Sequence, residues 1–223
     1  MSDVPFPDIA QQIDKTGLEM GAIKLDPTHP FTWASGFQMP IYNDNRKLLA
    51  DAKTRGLIAE GFSKLMPQLS PPPQVIAGIA TAGIPHATTL ADRLQKPLVY
   101  VRAEAKGHGL GNRIEGLLAD GAQVLLIEDV ISTGKSSLSA VRAVREAGGK
   151  VSDCFAIFNY GFNEALGAFE AEECALTALF DYDFLVAFAL KEKRISSSEH
   201  ELLLGWRSDP FGWGEKHGFP PKR

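Results

Sequence analysis

Five short apolar runs, Val75 to Ile79, Leu98 to Val101, Val124 to Glu128, Val151 to Phe158 and Ala175 to Phe180, alternate with stretches of helical periodicity, and that rhythm constrains the fold more tightly than any other feature. A strand whose apolar residues run without polar interruption is one covered on both faces, as helices cover a parallel sheet. The intervening helical patterns span Leu48 to Met66, Ile84 to Leu94, Ser136 to Ala147 and Asn163 to Glu172, and Gly148-Gly149 stops the third of them as C-terminal glycines do. The expectation is an α/β fold with a central, mostly parallel sheet flanked by helices. Ser70-Pro-Pro-Pro73 reads as a stiff connector into that sheet. It divides a single domain into N-terminal helices and a hood (about 1–68), a ligand-binding core (69–181) and C-terminal helices with a tail (182–223). Phe6 to Gly21 reads as a helix and Ala22 to Asn43 as short strands and turns, whereas Tyr182 to Glu192 and Ser197 to Trp206 read as helices. These ends are expected to form a small subdomain over the ligand.

Composition narrows the class. With 223 residues, 44% hydrophobic and 22% charged, the chain is long enough for one large core. No apolar run approaches the ~20 residues of a spanning helix, and Met1-Ser-Asp-Val-Pro-Phe-Pro7 lacks the basic and apolar regions of a signal peptide, so a cytoplasmic protein without a membrane partner is expected. A formal net charge of −4 argues against a nucleic-acid surface. A polyanionic substrate would then be held by local charge, backbone amides and metal. Cys154 and Cys174 lie in apolar, strand-like stretches without ligand spacing and read as buried thiols.

The third apolar run carries the chemistry. Val124-Leu-Leu-Ile127 stops at Glu128 and Asp129, then passes through Val130 and Ile131 into Ser132-Thr-Gly-Lys-Ser136, a hydroxyl-rich turn opening a helix. Unpaired N–H groups and the positive dipole end at such a helix start favour a bound phosphate. The paired acids suit ribose hydroxyls or a hydrated magnesium ion, a hard cation that prefers oxygen ligands. Gly134-Lys135-Ser136 looks like the end of the nucleotide-binding G-x-x-x-x-G-K-[ST] loop. The glycine required five residues earlier is Asp129, however, and its carboxylate would repel the phosphates the loop must wrap. A plain strand, turn and helix is the blander reading, but it leaves two adjacent acids at a strand end without a partner.

Two more stretches complete the pattern. Gly78-Ile-Ala-Thr-Ala-Gly-Ile-Pro85 is a second strand end with a tight loop, in which Thr81, Ala82 and Gly83 let the backbone approach a ligand closely. Between Tyr100 and Gly116, Arg102, Lys106, His108 and Arg113 are interleaved with Gly107, Gly109, Gly111 and Gly116. That mixture is too glycine-rich for a stable helix and too cationic for a bland linker. It reads as a mobile lid whose cations close over a phosphate-rich substrate and exclude water.

The segment Val124 to Ser137 resembles the phosphoribosyl diphosphate (PRPP) signature of the type I phosphoribosyltransferases. The resemblance narrows at two further places. Arg102-x-x-x-Lys106-x-His108-Gly109 followed by Ile114-Glu-Gly116 is similar to the catalytic loop of the orotate phosphoribosyltransferase family, and Phe31-Thr-Trp-Ala-Ser-Gly-Phe37 with Pro40-Ile-Tyr42 is similar to that family's N-terminal segment. These matches fall between Phe31 and Ser137, about half the chain. The resemblance implies the type I fold and a pentosyl transfer from PRPP to orotate, giving orotidine 5'-monophosphate and pyrophosphate in pyrimidine synthesis, with Mg2+ accompanying the diphosphate. It implies that Glu128 and Asp129 face the ribose hydroxyls, with Asp129 among the catalytic groups, that the loop Ser132, Thr133, Gly134, Lys135 and Ser136 holds the 5'-phosphate, and that Val130 and Ile131 also belong to the PRPP-binding stretch. Thr81, Ala82 and Gly83 would meet the pyrophosphate. Arg102, Lys106 and His108 would bind the diphosphate and stabilise its leaving charge. Ser132 would touch orotate, close to Ser35, Gly36 and Tyr42. The resemblance further implies a homodimer in which the Arg102 to Gly116 loop reaches the neighbouring active site.

Departures from the family pattern fall mostly around the base. Ala34, Ala82 and Ala103 stand where relatives carry basic residues, and Asn159-Tyr-Gly-Phe162 stands where many carry an arginine that meets orotate. Tyr42, Arg46 and backbone amides are left to grip it. A purine phosphoribosyltransferase shares the PRPP signature, and a regulatory sensor could keep the PRPP seat without chemistry. The lid and the Phe31 to Tyr42 segment speak against the first, and the lack of a basic patch against the second. His29, His86, His200 and His217 are expected at the surface or as caps, and Trp206, Phe211 and Trp213 as packing or subunit-interface residues rather than a base platform. Asp44 and Arg46 are expected to form an ion pair.

Overall fold

The structure is a computed structural model that describes residues 4–104 and 113–222. The chain opens with α1 (Pro7–Glu19), whose Ile9, Ala10 and Ile13 face the core at helical spacing. Short strands follow: β1 (Ile23–Leu25), β2 (Phe31–Thr32), β3 (Gln38–Met39) and β4 (Ile41–Asn43). β1 pairs antiparallel with β4 and β2 with β3, making two small ribbons, the hood expected from the turn-rich composition. A 3-10 turn (Asn45–Ala50) then leads into α2 (Ala52–Leu65), so the helical pattern beginning at Leu48 is split at Asp51, whose side chain accepts from the Thr54 N–H and caps α2.

The core alternates strand and helix: β5 (Val75–Ile79), α3 (Gly83–Leu94), β6 (Leu98–Val101), β7 (Ile114–Glu115), β8 (Gln123–Ile131), α4 (Lys135–Glu146), β9 (Lys150–Asn159), α5 (Asn163–Ala171) and β10 (Ala175–Asp181). After it come α6 (Tyr182–Lys191), α7 (Ser197–Ser208) and the short α8 (Trp213–Lys216). The strands form one sheet in the order β10-β9-β8-β5-β6-β7, all parallel except the edge strand β7. Two packed layers cover it. Ile58 and Phe62 of α2 and Leu90 of α3 lie on one face with α1, α6 and α7, while Leu138 and Val141 of α4 and Phe169 of α5 lie on the other.

The connectivity places the site. From β5 the chain crosses to β6 on one side and later returns to β8 on the other, so β5 and β8 flank the point where strand order reverses, and in open α/β sheets ligands bind outside the carboxyl ends there. One boundary differs from expectation. β8 does not stop at Glu128 but continues to Ile131, with Glu128 opposite Ala156 and Ile131 opposite Asn159 on β9. The two acids therefore sit within the ladder, and successive side chains of a strand point to opposite faces.

Candidate active site

Glu128 and Asp129 are both buried. Glu128 lies towards α4: its carboxylate accepts from the Ser136 and Ser137 hydroxyls (3.3 and 3.4 Å) and from the Asp129 N–H (3.0 Å). The Asp129 carboxyl lies within electrostatic reach of Arg46 and close enough to the Glu128 carboxyl for the two to share a hydrogen bond. Burial pushes the Glu128 carboxyl up to about 8, reinforced by the neighbouring Asp129 charge, and burial also raises Asp129. Both are acids kept from water that hydroxyl donors or a cation would relieve. Asn45 fixes the hood to this strand through a 2.8 Å bond from its amide to the Asp129 carbonyl. The next residue, Arg46, forms the expected ion pair with Asp44 at 2.6 Å.

The turn after β8 is built for close approach. Gly134 takes a left-handed conformation (φ 75°) at the start of α4, no side chain caps that helix, and Lys135 and Ser136 lie in its first turn. Its first N–H groups are thereby left for a ligand. The loop between β5 and α3 lies alongside, also without a side-chain cap. Gly83 packs directly on β8: a methyl group there would collide with the Ile127 carbonyl and lie 3.3 Å from the Glu128 Cα. Gly83 thereby holds the end of this loop against the acid-bearing strand.

At the end of β6, Arg102 and Arg113 meet at the two ends of the segment expected to form the lid. Arg113 donates to the Arg102 carbonyl (2.9 Å) and to the Ser139 hydroxyl of α4 (2.9 Å), while Arg102 pairs with Glu115 at 3.5 Å. Together with Ala80 and Ser136 they line a small cavity of about 80 Å³. Lys106 and His108, the central cations of the expected lid, lie outside the described residues.

Beyond β8, a larger cavity of about 420 Å³ gathers Ser35, Tyr42, Ser132 and Thr133 with Trp33, Tyr160 and Phe211. Three of the four residues expected at the base meet here. Gly36 does not line it; its carbonyl instead accepts from the Lys222 N–H at 2.9 Å. Tyr160 occupies the stretch where relatives carry arginine, and its ring lies 5.3 Å from Trp33 and 5.5 Å from Phe162. Burial drives its hydroxyl well above the ordinary tyrosine value, so it stays protonated. Sequence reasoning missed Trp33 and Tyr160 as site residues, although Trp33 sits inside a motif it had singled out. It also placed Phe211 with the packing aromatics, and the structure puts that ring at the cavity. Trp206 and Trp213 are buried as expected, but His86 is buried rather than superficial, its imidazole pushed down to about 4 by burial and the Arg55 charge.

Comparison with known proteins agrees with this geometry. Residues 47–161 match the family model described as the phosphoribosyl transferase domain. The chain is 46% identical over 204 residues to an orotate phosphoribosyltransferase of Levilactobacillus brevis, covering 92% of this chain and 97% of that one. It is 44% identical to one of Listeria monocytogenes, covering 93% and 99%. Among solved structures, the orotate phosphoribosyltransferase of Aeropyrum pernix superposes with a TM-score of 0.71 at 27% identity, covering 82% of this chain and 99% of that one.

Proposed function

The chain belongs to the orotate phosphoribosyltransferase family, and we propose that the strand end at Glu128 and Asp129 with the adjoining aromatic cavity is where it joins orotate to PRPP. The reaction gives orotidine 5'-monophosphate and pyrophosphate. The observation that carries the site assignment is the contact between two chemically different spaces: an aromatic, hydroxyl-lined cavity lies directly beside a turn whose helix N–H groups are uncapped, with Ser132 and Thr133 common to both. A planar base fits the first and a phosphate the second.

In this reading the 5'-phosphate rests on the N–H groups from Ser132 to Ser136, and Asp129 and Glu128 hold the ribose hydroxyls. The base lies among Trp33, Tyr42 and Tyr160, gripped by the Ser35 and Ser132 hydroxyls and nearby amides. As the bond from C1' to the diphosphate weakens, positive charge grows on the ribose ring and negative charge on the leaving group. Arg102, Lys106 and His108 stabilise the latter, and the orotate nitrogen attacks the former at close range. No covalent intermediate with the protein is needed.

No cluster of three or more metal-ligating side chains occurs among the described residues. The two acids nevertheless fit Mg2+, which takes one or two carboxylates and otherwise keeps waters and substrate phosphates. Glu128 and Asp129 would hold it, and it supplies neutralising charge to the diphosphate. We further propose a homodimer with the lid acting on the neighbouring site, and a cytoplasmic location. No helix among the described residues is long and apolar enough to cross a membrane.

The test is loss of orotate with PRPP and Mg2+, run beside adenine, guanine and uracil. Turnover with orotate alone is expected, and turnover with a purine instead would overturn the base assignment. Lys106→Ala should lower turnover about a hundredfold, the scale of one lost electrostatic donor. Near-normal turnover in that variant would refute the lid's role.

A further inference from the structure

The C-terminal tail reaches back across the molecule to the base cavity. Phe211 lies between α7 and α8, lines the cavity with Trp33, Tyr42 and Tyr160, and is 40% exposed. It is the one exposed Phe, Tyr or Trp among the described residues. An aromatic ring left open at the mouth of an aromatic-walled cavity differs from a ring spent on packing, as Trp206 and Trp213 are. Its pose is nonetheless fixed: edge-on to Phe37 at 5.3 Å, and 5.9 Å from Phe162.

The segment carrying it is tied to the opposite wall at several points. The Lys222 N–H donates to the Gly36 carbonyl, and a methyl group on Gly36 would collide with the Lys222 carbonyl. Gly214 packs so closely between Phe219 and Gln38 that a methyl group there would come within 2.7 Å of one carbonyl and 3.0 Å of the other. The Trp213 ring donates to the Leu202 carbonyl at 3.2 Å. The contacts at Gly36 and Gln38 hold the tail against the Trp33 to Met39 turn, whose residues Trp33 to Ser35 form the other side of the cavity.

We propose that Phe211 is a base-contacting, specificity-determining residue: its ring covers the bound pyrimidine, so that the C-terminal tail supplies one wall of the base site. The role rests on the cavity being the orotate site.

The test uses the full-length enzyme with orotate and PRPP varied separately. Phe211→Ala should raise KM for orotate about tenfold, within the range of base–aromatic contacts removed by alanine, and leave KM for PRPP unchanged. Phe211→Tyr should restore wild-type KM for orotate, and Phe211→Leu should fall between. Tyr42→Ala provides the control for the cavity itself. If Tyr42→Ala raises KM for orotate and Phe211→Ala does not, the tail is no part of the base site. If neither variant moves it, the cavity is not where orotate binds, and the site assignment fails with it. A Phe211→Ala enzyme that loses affinity for PRPP and orotate equally would likewise overturn the proposal, since that pattern marks general disruption.

Discussion

At the scale of single residues, Glu128 and Asp129 show how burial converts sequence neighbours into different chemical species. Glu128 takes the hydroxyls at the start of α4, Asp129 lies within reach of Arg46, and the two carboxyls meet each other. Glu128 is raised from 4.5 to about 8 by burial and by Asp129, so the native chain retains a proton that the unfolded chain releases. A raised acid contributes stability that is complete below about 4.5 and is lost as pH rises through about 8. Glu128→Gln, neutral throughout, should lack that decline while losing turnover through the missing ribose contact. Urea unfolding of both proteins between about pH 5 and pH 8.5 measures it, and parallel curves would show that Glu128 is not protonated in the fold. His86 acts in the opposite direction, losing stability as pH falls from 6.5 towards about 4, and it is common to both proteins.

At the scale of elements, the site depends on how closely α3 approaches the sheet. Gly78 on β5 lies under Ile84 and Ala87 of α3, and Gly83 touches the backbone of β8. Any Cβ at Gly83 must push the Thr81 to Gly83 loop away from Glu128. Gly83→Ala should therefore cost about 1–3 kcal/mol, as inserting a methyl into tight packing does, and should raise KM for PRPP by more than KM for orotate. Calorimetry with steady-state kinetics checks both. An unperturbed melting temperature would mean that the loop has room to move. The strand and helix spans read from the sequence hold at this scale because each carries its own signal: continuous apolar runs for β5 and β6, and glycine stops for α4. β8 was read three residues short because Asp129 breaks the apolar run, whereas ladder bonds to β9 carry the strand through to Ile131.

At the scale of the molecule, distant parts of the chain converge on one site: the hood at Trp33 and Tyr42, the core at Ser132 and Tyr160, and the tail at Phe211. The homodimer we propose adds the lid of a second subunit. If Lys106 acts on the neighbouring site, mixing Lys106→Ala with Asp129→Ala subunits should restore activity that neither variant shows alone. One of the two sites in a mixed dimer then combines an intact Asp129 with an intact Lys106 from its neighbour. Absence of recovery, with mixed dimers demonstrated by mass, would place Lys106 in its own subunit's site.

The sequence by itself determined the parallel α/β core, the paired acids, the hydroxyl-rich turn at Ser132 to Ser136 and the small-residue loop at Thr81 to Gly83. Each of these is a local pattern whose physics acts over a few neighbouring residues: apolar continuity, uncapped helix donors, absent side chains. Only the tertiary structure decided that β8 runs on to Ile131, that His86 is buried, and that Tyr160 and Phe211 line one cavity with Trp33. Those facts depend on which surfaces meet after the sheet has formed and the tail has folded back over Gly36. Contacts between residues so far apart in the chain leave no periodicity or spacing for a single sequence to display.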